Sequence, residues 1–225
     1  MKLALQAPWF AGLLVAGALA ASAESRIECA GTSVSARAPD RETAMHACEA
    51  AAAATRFLSG MGLDVSAPIE LRIVAALPDG VGASAIGCFV REQRTAWVLI
   101  ESECRNPAAV FELPMSKALH RSVVAHEIGH AIAGANFSVA RPEPVAQEYI
   151  AYVTQLATMP PELRNRVLER YPRSSSEGPG HLNGPVYLMD PSRFAAIAWR
   201  HHLGPDGGAA FIRRVLDGRA LADVW

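Results

Sequence analysis

The segment VVAHEIGHAIAG, residues 123–134, restricts the fold of this chain more tightly than any other stretch. Its two histidines, His126 and His130, stand four residues apart. On an α-helix such residues lie one above the other on the same face, so both imidazoles can reach one tetrahedral ion. Glu127 is turned about 100° from His126 by the helical pitch, which suits it to reach a water on that ion rather than to ligate. This is the mechanical content of H-E-x-x-H. Val123, Val124, Ile128 and Ile132 surround the pair, so part of the helix is buried, where two imidazoles and a carboxylate are costly unless partnered. Gly129 costs the helix about 1 kcal/mol relative to alanine and points to a close backbone approach.

A catalytic site of this kind takes three protein ligands and keeps a fourth position open. Two glutamates follow, in PEPVAQEYIAYVTQLATM. Glu143 lies between Pro142 and Pro144 at a helix start, where an acid capping the helix is the ordinary explanation. Glu148 lies one turn further in, on the same stripe as Val145, Tyr152 and Leu156. In an antiparallel helix pair it comes level with the histidines, given the rise of about 1.5 Å per residue. The alternative for Glu148 is a core salt bridge to an arginine. The expected metal ligands are therefore His126, His130 and Glu148, and the expected ion is one Zn2+.

With 225 residues, 51% of them hydrophobic and 19% charged, the chain suits a single folded domain with a sizeable core. Its start is read apart from the fold. Met1-Lys2 is positive, Phe10 to Ala20 is apolar, and Ala21-Ser22-Ala23 has the small-x-small form of a cleavage site. A signal peptide over residues 1–23 is expected, leaving a domain over 24–225 in the periplasm or outside the cell. An uncleaved anchor is the competing reading, but the apolar stretch is short for a spanning helix, and no stable membrane insertion is expected. No cysteine follows the site directly, which argues against a lipid anchor.

Cleavage moves the formal charge from −1 to −2, because Lys2 is the only charged residue removed. So neutral a chain has no bulk pull toward nucleic acid, and no nucleic-acid partner is expected. The cluster Arg164, Arg166, Arg170 and Arg173 reads as the wet face of a helix. Four cysteines behind an export signal read as two disulfides, with Cys29–Cys48 and Cys88–Cys104 favoured among three pairings.

Residues 26–37 look extended and lead into an alanine-rich helix over Arg41–Gly60, begun near Asp40. Ile69, Leu71 and Ile73 alternate with Glu70 and Arg72, the period of a half-buried strand. Residues 85–91 and 95–101 read as a hairpin around Glu92-Gln93-Arg94. Helices are expected over 116–135, 144–158, 161–170, 191–203 and 206–217, with a Ser/Gly/Pro-rich loop over 171–185. A lobe boundary near 172 is compatible with this order. The class is α+β: a small, mostly antiparallel sheet followed by helices, among them the histidine helix and the glutamate helix.

HEIGH followed by a glutamate on the next helix resembles the gluzincin metallopeptidases, whose zinc is held by His, His and Glu. A proline shortly before Glu148, with Ala151 and Tyr152 after it, is similar to the P…E-G-x-A-x-Y stretch of peptidase MA-like proteins. The stretch DPSRFAAIAWRHHLGPDGGAAFIRRVL is similar, more weakly, to their closing helices. The resemblance covers residues 85–217, and the zinc motif is its specific part. Tyr149 replaces the glycine after the ligand glutamate, and Tyr152 stands where thermolysin-like enzymes carry an aspartate. No G-x-M-E-N signature is present, so the resemblance does not imply an aminopeptidase.

What it implies is a zincin-like region and an exported zinc metallopeptidase, an endopeptidase acting on protein or peptide substrates, with Glu127 as general base. The strand Ala96–Ile100 would offer an edge to an extended substrate. Tyr187 and His181 are the candidates for the donor to the oxyanion, with surface or packing roles as the ordinary alternative for each. The adjacent His201 and His202 read as the end of an amphipathic helix. Two other readings compete with the enzyme: a catalytically inert, zinc-stabilised secreted binding or scaffold domain, and a metal-free disulfide domain.

Overall fold

Alternation of apolar and charged residues puts Ile69, Leu71 and Ile73 of strand β3 (Ile69–Val74) on the buried face of a sheet. The computed structural model describes residues 24–104, 110–175 and 177–222. The expected signal peptide, residues 1–23, lies outside them. β3 is the central strand of five. β1 (Ser25–Glu28), β2 (Val34–Ala38), β4 (Gly87–Val90) and β5 (Thr95–Leu99) complete the order β1-β2-β3-β5-β4.

The fold is α+β, as expected, but the sheet is mixed rather than mostly antiparallel. β1–β2 and β4–β5 are antiparallel hairpins, whereas β2–β3 and β3–β5 are parallel. Helix α1 (Arg41–Gly60) carries the chain back across the sheet between β2 and β3, and such a crossover returns it in the same direction. The stretch expected to be extended over 26–37 is two strands. They are joined at Cys29–Ser33, where Gly31 takes a φ of 73° that suits glycine.

Asp40 caps α1 by accepting from the Thr43 backbone N–H at 2.8 Å. Below it Ala44, Ala47, Ala51 and Ala54 are fully buried, small enough to let α1 lie close on β2 and on the next helix. The disulfide Cys29–Cys48 ties the first hairpin to α1. The second expected disulfide is not formed: Cys88 and Cys104 are free thiols. Cys88 is held in β4 opposite Trp97. Cys104 follows a single 3₁₀ turn beyond β5, and its buried thiol faces the carbonyls of Leu99 and Ile100 at 3.8 and 3.5 Å.

Seven α-helices are present among the described residues. Helix α2 (Lys117–Asn136), capped by Ser116, runs through the middle of the molecule. It is buried on nearly every side because α1, β4, β5 and α3 (Pro144–Thr158) all pack on it. α4 (Pro161–Arg170), α5 (Gly184–Met189), α6 (Pro191–Leu203) and α7 (Gly208–Leu216) follow, and α6 packs on α3. α5 is an addition to the expected set: Asn183 caps it through the Val186 N–H at 2.9 Å, inside what reads as loop. One hydrophobic core runs from Cys29 to Leu216. No helix among the described residues is long and apolar enough to cross a membrane.

Candidate metal centre

Gly129 sets the spacing of the two helices that build the centre. A Cβ there would stand 3.1 Å from the Ala151 Cα and 3.3 Å from the Thr154 Cβ, so α2 and α3 meet backbone to backbone at this point. That contact brings Glu148, one turn into α3, level with His126 and His130. The Nε2 atoms of the two histidines are 3.1 Å apart. His126 Nε2 is 3.6 Å from Glu148 Oε2, and His130 Nε2 is 3.5 Å from Glu148 Oε1. Ligands about 2.0–2.1 Å from a tetrahedral zinc stand about 3.3–3.4 Å from one another. The three groups already have nearly that separation, and an N, N, O donor set suits zinc. Among the described residues this is the only group of three metal-ligating side chains whose donor atoms converge.

The electrostatics fit a cation as well. Burial, then the neighbouring His130, pushes the His126 pKa well below its usual value, with Gln155 opposing. Its Nδ1 is buried without a hydrogen bond. A neutral His126 imidazole offers a lone pair rather than a proton, which is what a metal ion needs.

Glu127 is not one of the converging ligands; it lines the same cleft as they do and is only 6% exposed. Burial, then the charge of Glu148, raises its pKa well above 4.5. Its Oε2 is buried with no hydrogen-bond partner. Gly87 of β4 makes room for it: a Cβ there would lie 2.6 Å from Glu127 Oε1. Only a glycine lets the strand pass so close to the carboxylate. A cleft of about 550 Å³ opens here, lined among others by Gly87, Cys88, Phe111, Glu127, Glu148 and Tyr187. The strand at the edge of the sheet beside this cleft is β4; the expected edge, Ala96–Ile100, lies in β5, which is interior between β3 and β4.

Tyr187 reaches the centre from α5 and donates a hydrogen bond to Glu148 Oε1 at 3.0 Å. His181 does not line the cleft. Its Nδ1 accepts from the Gly178 N–H at 3.3 Å, closing the one-turn helix Pro179–His181. His201 and His202 end α6 away from the cleft, where His201 Nδ1 meets the Tyr149 hydroxyl at 2.9 Å and His202 stacks on Trp199. Reading the sequence for chemistry misses Gly87 and Tyr152. Tyr152 packs edge-on against His126, ring centroids 4.6 Å apart, and lines the cleft. Its position four residues after Glu148 was the available signal, since that spacing puts both on one helical face. Gly87 had none, because nothing local tells which glycine will meet a distant carboxylate.

Comparison with known families matches residues 34–225 to a family of unknown function, DUF6639, and the chain belongs to that family. Neither a curated protein nor a solved structure matches.

Proposed function

We propose that this member of the DUF6639 family is an exported, zinc-dependent hydrolase of peptide bonds. One observation carries the reading: His126, His130 and Glu148 converge beside a buried glutamate, Glu127, whose Oε2 has no partner. A divalent ion such as zinc, held by the two imidazoles and the Glu148 carboxylate, supplies Lewis acidity toward a carbonyl and acidifies water.

The chain's own residues do the rest. Glu127 takes the proton of the attacking water and returns it to the leaving amine. Burial, then the nearby Glu148 charge, raises the proton affinity of the Glu127 carboxylate, as a group that takes up a proton and hands it on requires. Tyr187 keeps Glu148 oriented by donating to Oε1. Gly87–Val90 has no strand on its outer side among the described residues, so its backbone donors and acceptors can pair with an extended peptide. That edge favours a peptide over a compact small molecule. The Cys29–Cys48 disulfide is compatible with export, the basis of which remains the pattern of residues 1–23.

The test compares wild type with Glu127→Gln after loading with zinc. Both should hold one ion per chain, while the variant loses hydrolysis of unfolded protein or a peptide library by about 10²- to 10⁴-fold. Retained zinc with two equally inert proteins would favour a zinc-stabilised binding domain. Wild-type protein that retains no zinc would remove the metal altogether.

A further inference from the structure

Two tyrosines stand at the cleft, and they are not equivalent. The Tyr187 hydroxyl is committed to Glu148 Oε1 at 3.0 Å. The Tyr152 hydroxyl has no hydrogen-bond partner among the described residues, although its ring is tightly held. The ring packs edge-on with His126 at 4.6 Å and with Phe194 at 6.1 Å, at interplanar angles of 65° and 62°. A tyrosine fixed this firmly ordinarily spends its hydroxyl on a partner. This one lines the cleft instead.

We propose that Tyr152 is the hydrogen-bond donor that meets the oxyanion of an amide substrate, while Tyr187 is a positioning residue for Glu148. The proposal rests on the metal-dependent reading above and deepens it. Two features support it. Tyr152 is one helical turn beyond Glu148 on α3, so the same helix that supplies the ligand carboxylate carries the donor. Its ring is braced against His126, which fixes the hydroxyl relative to the centre without any loop having to close. The sequence-based candidates fare differently. His181 is spent on its own turn. Moving Tyr187 to an oxyanion would take away the hydrogen bond on Glu148.

The experiment uses full mature protein loaded with Co2+, whose visible absorption reports the ligand set, and phenylphosphonate as a tetrahedral anion. Wild type, Tyr152→Phe and Tyr187→Phe are compared for Co2+ affinity, the spectrum before phosphonate, and phosphonate affinity. Tyr152→Phe keeps the ring contact with His126, so its Co2+ affinity and starting spectrum should match wild type. Its phosphonate affinity should fall about tenfold to a hundredfold, the range for one hydrogen bond to an anion. Tyr187→Phe should instead weaken Co2+ itself by about 10–100-fold. Equal phosphonate affinity in Tyr152→Phe and wild type overturns the assignment. So does a Tyr187→Phe protein with normal Co2+ affinity and selectively weakened phosphonate binding. Wild type that binds Co2+ but no phosphonate overturns the Tyr152 proposal and leaves the metal centre standing. Wild type that takes up no Co2+ overturns the metal reading first.

Discussion

Among the described residues two histidine pairs, partly or wholly buried, have their rings in contact, and only one of them is built like a metal centre. His126 and His130 come from a single helix, with rings 4.7 Å apart at 80° and Nε2 atoms 3.1 Å apart. Glu148 faces both. His46 and His120 come from α1 and α2 and are stacked, 5.8 Å apart at 22°. His120 Nε2 lies 2.7 Å from the Leu99 carbonyl oxygen, which can only accept, so that nitrogen carries the proton. Its Nδ1 and His46 Nε2 are buried without partners. The second pair borders a cavity of about 450 Å³ that also contains Glu49 and Glu101, yet no carboxylate converges with the two rings. Burial and unpaired nitrogens are common to both pairs. What separates them is a third ligand delivered from a second helix at the right distance.

The largest effect should come from removing that third ligand. Glu148→Ala should weaken zinc binding by more than about 100-fold, beyond what the loss of an outer partner causes. His120→Gln and His46→Gln should leave one zinc per chain, measured by metal analysis after dialysis. A second equivalent of zinc in wild type, lost in His120→Gln, would break the distinction between the pairs.

The disulfide belongs to the His46 side, where it ties the first hairpin to α1. Cys29→Ser with Cys48→Ser should cost about 3 kcal/mol of stability, as expected for cross-linking a loop of roughly this length. Zinc affinity of the folded variant should stay unchanged, because the cross-link joins the first hairpin to α1 and includes no residue of α2 or α3. Under denaturing, non-reducing conditions a thiol reagent should count two free cysteines per chain. In the native state Cys104 should resist labelling, since burial first, then Glu101 and Glu103, pushes its thiol up to about 11.

The two sides also differ in how much of them could be read from the sequence. The His126, His130 and Glu148 set was legible because helical periodicity is local: spacings of four fix a face before any tertiary contact is known. A helical pattern also located α2 and α3, a cap at Asp40 and an alanine-rich run located α1, and period-two alternation located β3. The parallel pairing of β2 with β3 was not legible, because it depends on where α1 delivers the chain. Cys88–Cys104 failed for a related reason. Short separation favours a loop closure, but β4 register sets Cys88 opposite Trp97 while Cys104 folds back on the end of β5. Tyr187 was reachable as a candidate, yet its donation to Glu148 rests on α5, a short helix within a Gly- and Pro-rich stretch.

Gly129→Ala sharpens the comparison from within the metal side. The new methyl would press on the Ala151 Cα at 3.1 Å and on Thr154, neither of which is the end of a flexible side chain. Helix propensity gains at that position, but overpacking should cost about 1–3 kcal/mol, so the variant should be less stable. Separation of α2 from α3 should weaken zinc binding as well. The equivalent small-residue contact on the other side, Ala47→Ser in α1, should lower stability and spare zinc.

The smallest effect is in acid, and it belongs to the second pair. Burial is the largest cause lowering the pKa of both His120 and His46 below the ordinary value of 6.5. For His46 the neighbouring His120 and Arg121 lower it further, against Glu49 and Glu101; for His120 the Leu99 carbonyl and Glu101 oppose the shift. A histidine whose folded pKa is depressed binds fewer protons folded than unfolded once the pH drops below about 6.5, so stability falls with falling pH through that window. His120→Gln keeps a side-chain donor for Leu99 while removing one such group. Metal-free wild type should therefore lose more of its denaturant midpoint between pH 7.5 and pH 5 than metal-free His120→Gln, with both parallel above pH 7.5. Equal losses would mean that the acid response arises elsewhere, for which the depressed pKa of His126 in the empty metal centre is the first place to look.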